Sequence, residues 1–133
     1  MQTCFCQQSQ SYETCCQPLH LGLSFAKTAK ELLFSRYAAY RCKDADYIKR
    51  TSSSKALEYF DYQAITNSQD RWVRLRVLDE KAGRCFDSEG KIRFQAFYIP
   101  AGQKKEQGFE ECSLFVREQG RWIYQEALDY FSL

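Results

Sequence analysis

Neither sign of charge dominates this sequence. Its 19 Lys and Arg stand against 17 Asp and Glu, a formal net charge of +2 with the single histidine neutral. That balance excludes the large one-sign field of a protein built to coat nucleic acid or an anionic membrane. Long apolar runs are missing too, and the longest fall well short of the roughly 18 residues that a membrane-spanning helix needs. The first residues show no basic start followed by an apolar stretch, so no targeting segment is expected there. With two prolines and six glycines in 133 residues, and no internal repeat, the chain is neither low-complexity nor collagen-like. What is present is 44% hydrophobic and 16% aromatic residues, the composition of a folded globule. A chain of this length buries roughly two thirds of its unfolded surface.

Seven cysteines is an odd number, and four of them, Cys4, Cys6, Cys15 and Cys16, fall in the first sixteen residues. Cys42, Cys85 and Cys112 are scattered singly. A secreted disulfide framework is rarely arranged so, and a reducing, cytoplasmic location is expected. Residues 1–25 carry one formal charge, Glu13, and too few large apolar side chains to build a core of their own. Something other than burial must order them. Four soft thiolates on a short loop can wrap one tetrahedral ion, and thiolates select zinc or iron–sulfur over magnesium or calcium. A saturated shell leaves no position for water, so such a zinc is structural. Four thiolates and one divalent ion sum to −2, which would bring the chain close to neutral. His20, four residues after Cys16, is the alternative to Cys16 as fourth ligand. A vicinal Cys15–Cys16 disulfide and unliganded thiols are the competing readings.

The periodicity changes along the chain. Ala26, Ala29, Leu33, Tyr37 and Tyr40 recur at helical spacing, and Thr28 with Glu31 forms a capping box that starts the longest helix. A short helix follows at residues 44–51. Ala56, Leu57, Phe60 and Ala64 are expected on one side of a third helix, ending at Asn67 and Ser68. From Trp72 the period becomes two, with Val73, Leu75 and Val77 on one face and Trp72, Arg74 and Arg76 on the other. Strands are expected at 72–78, 91–99, 109–117 and 121–128, with a fifth edge strand around 82–87. Cys112 is placed on the face of Leu114 and Val116, and isolated cysteines are read as small core residues. Helices followed by antiparallel strands predict an α+β fold in which a curved sheet wraps the long helix. The composition shift divides the chain into a module at 1–22 and a main domain at 23–133.

The C-x-C-x8-C-C spacing resembles the SEC-C zinc motif, also found at the tail of the bacterial preprotein-translocase ATPase. AKELLFSRYAAY at 29–40, Asp46, Tyr47 and Ile48 followed by Thr51, GKIRFQA at 90–96, EECSLF at 110–115 and RWIY at 121–124 are similar to landmarks of the bacterial YchJ-like family. The likeness touches nearly the whole chain in order. It implies an N-terminal zinc module preceding a cone similar to nuclear transport factor 2. It implies no biochemical activity. Three departures stand out: residues 7–14 lack the glycines and lysines that serve partner contact in the translocase motif, Phe34 replaces a usual arginine, and Ser52 replaces a usual tryptophan.

No Gly-rich phosphate loop, G-x-S-x-G elbow or H-E-x-x-H is present, and the one histidine sits beside the expected metal, so catalysis is unsupported. A cone can nevertheless enclose a pocket. Arg36, Tyr37, Tyr98 and Tyr124 are the candidate pocket residues, with Asp46, Tyr47, Tyr59 and Asp61 as further candidates. Arg36 borders the long helix's apolar stripe, either to hold a ligand or to pair with Glu110 or Glu111. Trp72, Arg74, Arg76 and Arg93 compose a small aromatic and basic patch, but the near-neutral total argues against nucleic-acid binding. The expectation is a non-catalytic zinc protein that binds a protein partner through its metal module, a small ligand in the cone, or a second copy through the sheet. A small-molecule enzyme working inside the cone is the alternative.

Overall fold

The computed structural model describes residues 4, 6, 8 and 10–133. Gln7 and Ser9, part of the loop that lacks lysines, lie outside the described residues. In chain order the elements are a 3-10 turn (Tyr12–Thr14) and five helices, α1 (Gln17–His20), α2 (Ala29–Cys42), α3 (Ala45–Arg50), α4 (Ser54–Leu57) and α5 (Tyr62–Thr66). Four strands follow, β1 (Arg71–Ala82), β2 (Glu89–Ile99), β3 (Gln107–Glu118) and β4 (Arg121–Ser132). They form one antiparallel sheet in the order β1-β2-β3-β4. The expected α+β architecture is therefore present, with all helices preceding all strands. Among the described residues no helix is long and apolar enough to cross a membrane.

Helix α2 starts where the capping box places it: Thr28 Oγ1 accepts from the Glu31 N–H at 3.0 Å. It ends because Lys43 turns left-handed at φ 60°, and Asp44 then caps α3 by accepting from the Tyr47 N–H at 3.1 Å. Leu32 and Leu33 pack with Ile92, Phe94, Phe115 and Trp122 to form the main core against the sheet. The opposite side of α2 is also buried, through the small residues Ser35, Ala38 and Ala39. Ala38 meets the cysteine cluster and Ala39 meets Leu19, Tyr47 and Ile48. A helix with one apolar stripe would leave that side to water.

Buried Arg36 stitches α2 to the end of α3. Its Nη1 lies 2.8 Å from Thr51 Oγ1, 3.0 Å from Ser52 Oγ and 3.2 Å from both the Ile48 and Thr51 carbonyl oxygens. Helix C-termini leave carbonyls without donors, and the guanidinium serves them here. The expected ion pair with Glu110 or Glu111 is not formed, because Glu110 is taken by Arg93 at 2.9 Å. The segment leaving α3 then joins the sheet: the Tyr124 N–H donates to Thr51 O at 2.8 Å and the Ser53 N–H to Tyr124 O at 2.9 Å. This protects part of the β4 edge.

Four expectations are corrected. The third helix is two short ones, because the Asp61 side chain accepts from the Ala64 N–H at 3.0 Å and starts a new helix there. Residues 83–88 form a turn rather than a fifth strand, as β1 runs on to Ala82 and the chain reverses at Gly83. A register shift between Trp72 and Arg74 breaks the alternation of β1, so Trp72 joins Leu75 and Val77 against the core instead of sharing a face with Arg74 and Arg76. In β3 it is Phe109, Glu111, Ser113 and Phe115 that face α2, which leaves Cys112, Leu114 and Val116 on the outer face; Cys42 and Cys85 are exposed.

The start of α2 is held by the β1–β2 turn, where the Ala29 N–H donates to Gly83 O at 2.9 Å. A Cβ on Gly90 would sit 2.5 Å from Gly83 Cα and 3.3 Å from Ala29 Cβ. Gly90→Ala is therefore expected to cost about 2–3 kcal/mol, read from the urea midpoint. Gly120→Ala, at φ 79° with nothing within 4 Å, is expected to cost only about 1 kcal/mol. Equal losses would show that the close approach at Gly90 is not the constraint.

Candidate functional site

Two sites lie on opposite sides of α2. On one side the sulfurs of Cys4, Cys6, Cys15 and Cys16 all lie within 4.8 Å of one another. Cys6 Sγ is 3.5 Å from Cys15 Sγ, and Cys15 Sγ is 3.9 Å from Cys16 Sγ. A tetrahedron with metal–sulfur bonds of ~2.3 Å has edges of ~3.8 Å, so the four sulfurs are already gathered at the size of one ion's shell. A disulfide needs its sulfurs at ~2.05 Å, and all seven cysteines are free thiols. Hydrogen bonding from the Cys16 thiol lowers Cys6 to about 5 against the opposing effect of burial. Burial, then the bond to Cys6, raises Cys15 to about 12, and the bond to Cys6 followed by burial pushes Cys16 upward. Cys6 is thus the thiol most readily ionised, and Cys15 and Cys16 are held as thiols beside it. A divalent cation is what would let all four ionise, and the donor set fits one.

His20 is buried and stands outside this sulfur cluster. Its Nε2 is 2.8 Å from the Ser35 carbonyl, which can only accept, so Nε2 carries the proton. Nδ1 then accepts from the Tyr12 hydroxyl at 2.8 Å. With both ring nitrogens engaged, the structure groups Cys16, and not His20, with the other three sulfurs. The imidazole instead pins α1 to α2, its ring 4.7 Å from that of Tyr47. Arg50 donates to the Leu19 and His20 carbonyls at the end of α1, a third tie between the segment and the cone. Phe34 packs against the cysteines, which gives an apolar role to the position where the resemblance leads one to expect arginine.

On the other side, α2 and the sheet enclose a cavity of about 270 Å³. Arg36, Tyr37 and Tyr124 line it, together with Trp72, Phe109 and Glu111. Glu111 Oε2 accepts from the Tyr124 hydroxyl at 2.9 Å and from the Ser113 hydroxyl. The Arg36 guanidinium lies over the Tyr124 ring, 4.7 Å from its centroid. Burial, reinforced by the Glu111 charge, raises Tyr124 well above the ordinary tyrosine value, so it stays a donor. Burial lifts Tyr37 to about 12, against the opposing charge and hydrogen bond of Arg41.

The remaining candidates do not converge on the cavity. Tyr98 stands beyond its lining, its ring 5.0 Å from that of Trp72. Tyr47 is buried on the other side of α2, its hydroxyl 2.7 Å from Ser35 Oγ. Asp46 and Tyr59 are exposed, and Asp61 is spent as a cap. Glu111 and Ser113 are the residues that sequence reasoning missed as cavity groups. Phe109 and Phe115, two aromatics in phase with them on β3, were the available signal.

Three comparisons place the chain among known proteins. Residues 28–127 match the family described as YchJ, middle NTF2-like domain. A UPF0225 protein of Streptomyces coelicolor is 33% identical over 123 residues, spanning 92% of both chains. A UPF0225 protein of Haemophilus influenzae is 30% identical over 126 residues, covering 93% of this chain and 76% of that one. The solution structure of a SEC-C motif containing protein from Rhodopseudomonas palustris superposes with a TM-score of 0.80 at 32% identity, over 93% of this chain and 95% of that one. A SEC-C motif containing protein from Psychrobacter arcticus gives a TM-score of 0.78 at 25% identity, over 100% and 85% of the chains. A cone of α2 and four strands, a four-cysteine cluster docked on its back, and these similarities together show that the chain belongs to the YchJ-like UPF0225 family.

Proposed function

We propose that this protein is a cytoplasmic, zinc-binding, non-catalytic ligand-binding protein, in which a structural zinc module braces a cone that receives a small molecule. The observation that carries this reading is the cavity beside α2, which has Glu111 and Ser113 at positions a solid core would fill with apolar side chains. Zinc is favoured because the four sulfurs are gathered at single-ion spacing, tighter than a multi-iron cluster spreads its thiolates. Cys4, Cys6, Cys15 and Cys16 would hold it, and the ion would supply folding free energy and no reactive position. Thiols serving this way need a reducing compartment. A second reading, a protein partner bound through the module, has in its favour the exposed Leu21 and Leu23 that follow α1.

The metal reading is tested by elemental analysis of anaerobically purified protein, with one zinc per chain expected. Cys15→Ser should lower that stoichiometry and expose the N-terminal segment to protease; unchanged zinc would remove Cys15 from the ligand set. His20→Gln should keep its zinc, whereas Cys16→Ser should lose it. The reverse pattern would make His20 the ligand. Arg36→Met strips its donors from the end of α3 and should cost about 2–4 kcal/mol in urea denaturation, while the zinc content stays at one.

A further inference from the structure

A second cavity, also of about 270 Å³, lies where residues 24–26, the end of α3 and the β3–β4 turn come together. Leu19, Leu32, Trp122 and Ile123 give it apolar surface. Its charged lining is two arginines, Arg50 and Arg121, and one carboxylate, Glu118. Neither arginine has a carboxylate within ion-pair distance among the described residues, whereas Arg74 and Arg93 on the sheet both do. Two cations without counter-charge beside apolar surface are the feature to be explained.

Both guanidiniums are held in place by aromatic rings. That of Arg50 lies over Tyr47, 4.8 Å from the ring centroid, and that of Arg121 lies over Phe25 at 3.8 Å. An arginine stacked by its face keeps the N–H groups of its edge for an acceptor. Arg50 spends Nη2 on the Leu19 and His20 carbonyls, and its Nε and Nη1 remain. Arg121 begins β4 directly after Gln119 and Gly120, whose φ of 53° and 79° make the tight turn that matches strand twist. Glu118 stands opposite Arg121 in the β3–β4 register without pairing with it, because the guanidinium lies on Phe25 instead. The lining therefore keeps one positive charge in excess. A singly charged acid neutralises it, an ammonium meets two like charges, and a doubly charged phosphate overshoots it and faces Glu118. A neutral molecule of the same body has only the apolar surface to gain.

We propose that this cavity is a second binding site, taking a small organic acid whose carboxylate is held between Arg50 and Arg121 and whose apolar body lies against Leu19, Trp122 and Ile123. The site is separate from the cavity beside α2 and does not depend on what that cavity holds. Its ligand touches the N-terminal segment through Leu19 on α1 and the sheet through Trp122 on β4.

The chain's two tryptophans report on the two cavities separately, Trp122 on this one and Trp72 on the one beside α2. The full-length protein is titrated at neutral pH with 3-phenylpropanoate, 3-phenylpropanol, 3-phenylpropylamine and 2-phenylethyl phosphate, following both indole N–H signals by NMR. 3-Phenylpropanoate should shift Trp122 saturably and bind at least about tenfold more tightly than the alcohol or the amine, with the phosphate no tighter. Arg121→Gln should weaken the acid at least about tenfold and leave the alcohol unchanged, while Glu118→Gln should tighten the acid. Equal or tighter binding of the alcohol or the amine, an acid that shifts Trp72 alone, or no shift at Trp122 overturns the site. Tighter binding of the phosphate overturns the carboxylate assignment, and an Arg121→Gln variant that binds the acid as before overturns the role of Arg121. If Arg121→Gln does not fold, the ranking of the four probes and the Glu118→Gln titration decide the matter.

Discussion

Everything in this fold depends on burying α2 from two sides. The sheet takes the side of Leu32 and Leu33, and the N-terminal segment with α3 takes the side of Ser35, Ala38 and Ala39. The second contact exists because those three side chains are small, so another backbone can approach closely. Its polar groups are satisfied within the contact: the Ser35 carbonyl accepts from His20 Nε2, and Ser35 Oγ bonds both the Leu32 carbonyl and the Tyr47 hydroxyl. The N-terminal segment has little apolar surface to contribute. Its order therefore rests on the His20, Tyr12 and Arg50 hydrogen bonds together with whatever gathers the four sulfurs.

The cone's interior departs from a plain hydrophobic core in a consistent way. Arg36 and Glu111 are charged, and Ser113 and Tyr124 are polar, yet each of Arg36, Ser113 and Tyr124 has a stated partner. Arg36 ends α3, Tyr124 is fixed by backbone bonds to Thr51 and Ser53, and Ser113 and Tyr124 converge on one oxygen of Glu111. Such a network rigidifies a site when it is complete. Here the Tyr124 and Ser113 hydroxyls fix the Glu111 carboxylate in one orientation at the cavity wall.

The sequence made the architecture readable because its strongest signals were local. The Thr28 capping box, the change from helical to alternating period near residue 70 and the cysteine spacing each rest on a few neighbouring residues. The cavity was harder to see because strand alternation is ambiguous by one residue. In β3 the sets Cys112, Leu114, Val116 and Phe109, Glu111, Ser113, Phe115 are both plausible inner faces, and hydrophobicity alone selects the wrong one. In β1 a bulge after Trp72 moves the indole inward, and no residue in that stretch announces it. Arg36 was placed on the correct border of α2, but its partners are carbonyls at the end of another helix, which no side-chain pairing rule anticipates. His20 looked like a ligand by its distance along the chain. In the structure a helical turn between Cys16 and His20 aims the imidazole at α2, where it bonds the Ser35 carbonyl.

The two sites meet in consecutive residues of one helix. Ser35 bonds the N-terminal segment, and Arg36 and Tyr37 face the cavity. Neighbouring positions on a helix point about 100° apart, so turning α2 about its axis cannot move one site without moving the other. The β1–β2 turn fixes the start of that helix at Ala29, and Lys43 fixes its end. A segment gripping the middle of the helix from behind then sets the rotation that presents Tyr37 to Glu111 across the cavity. On this geometry the cysteine-bearing segment fixes the angle of the wall that Arg36 and Tyr37 give the cavity, without itself lining it.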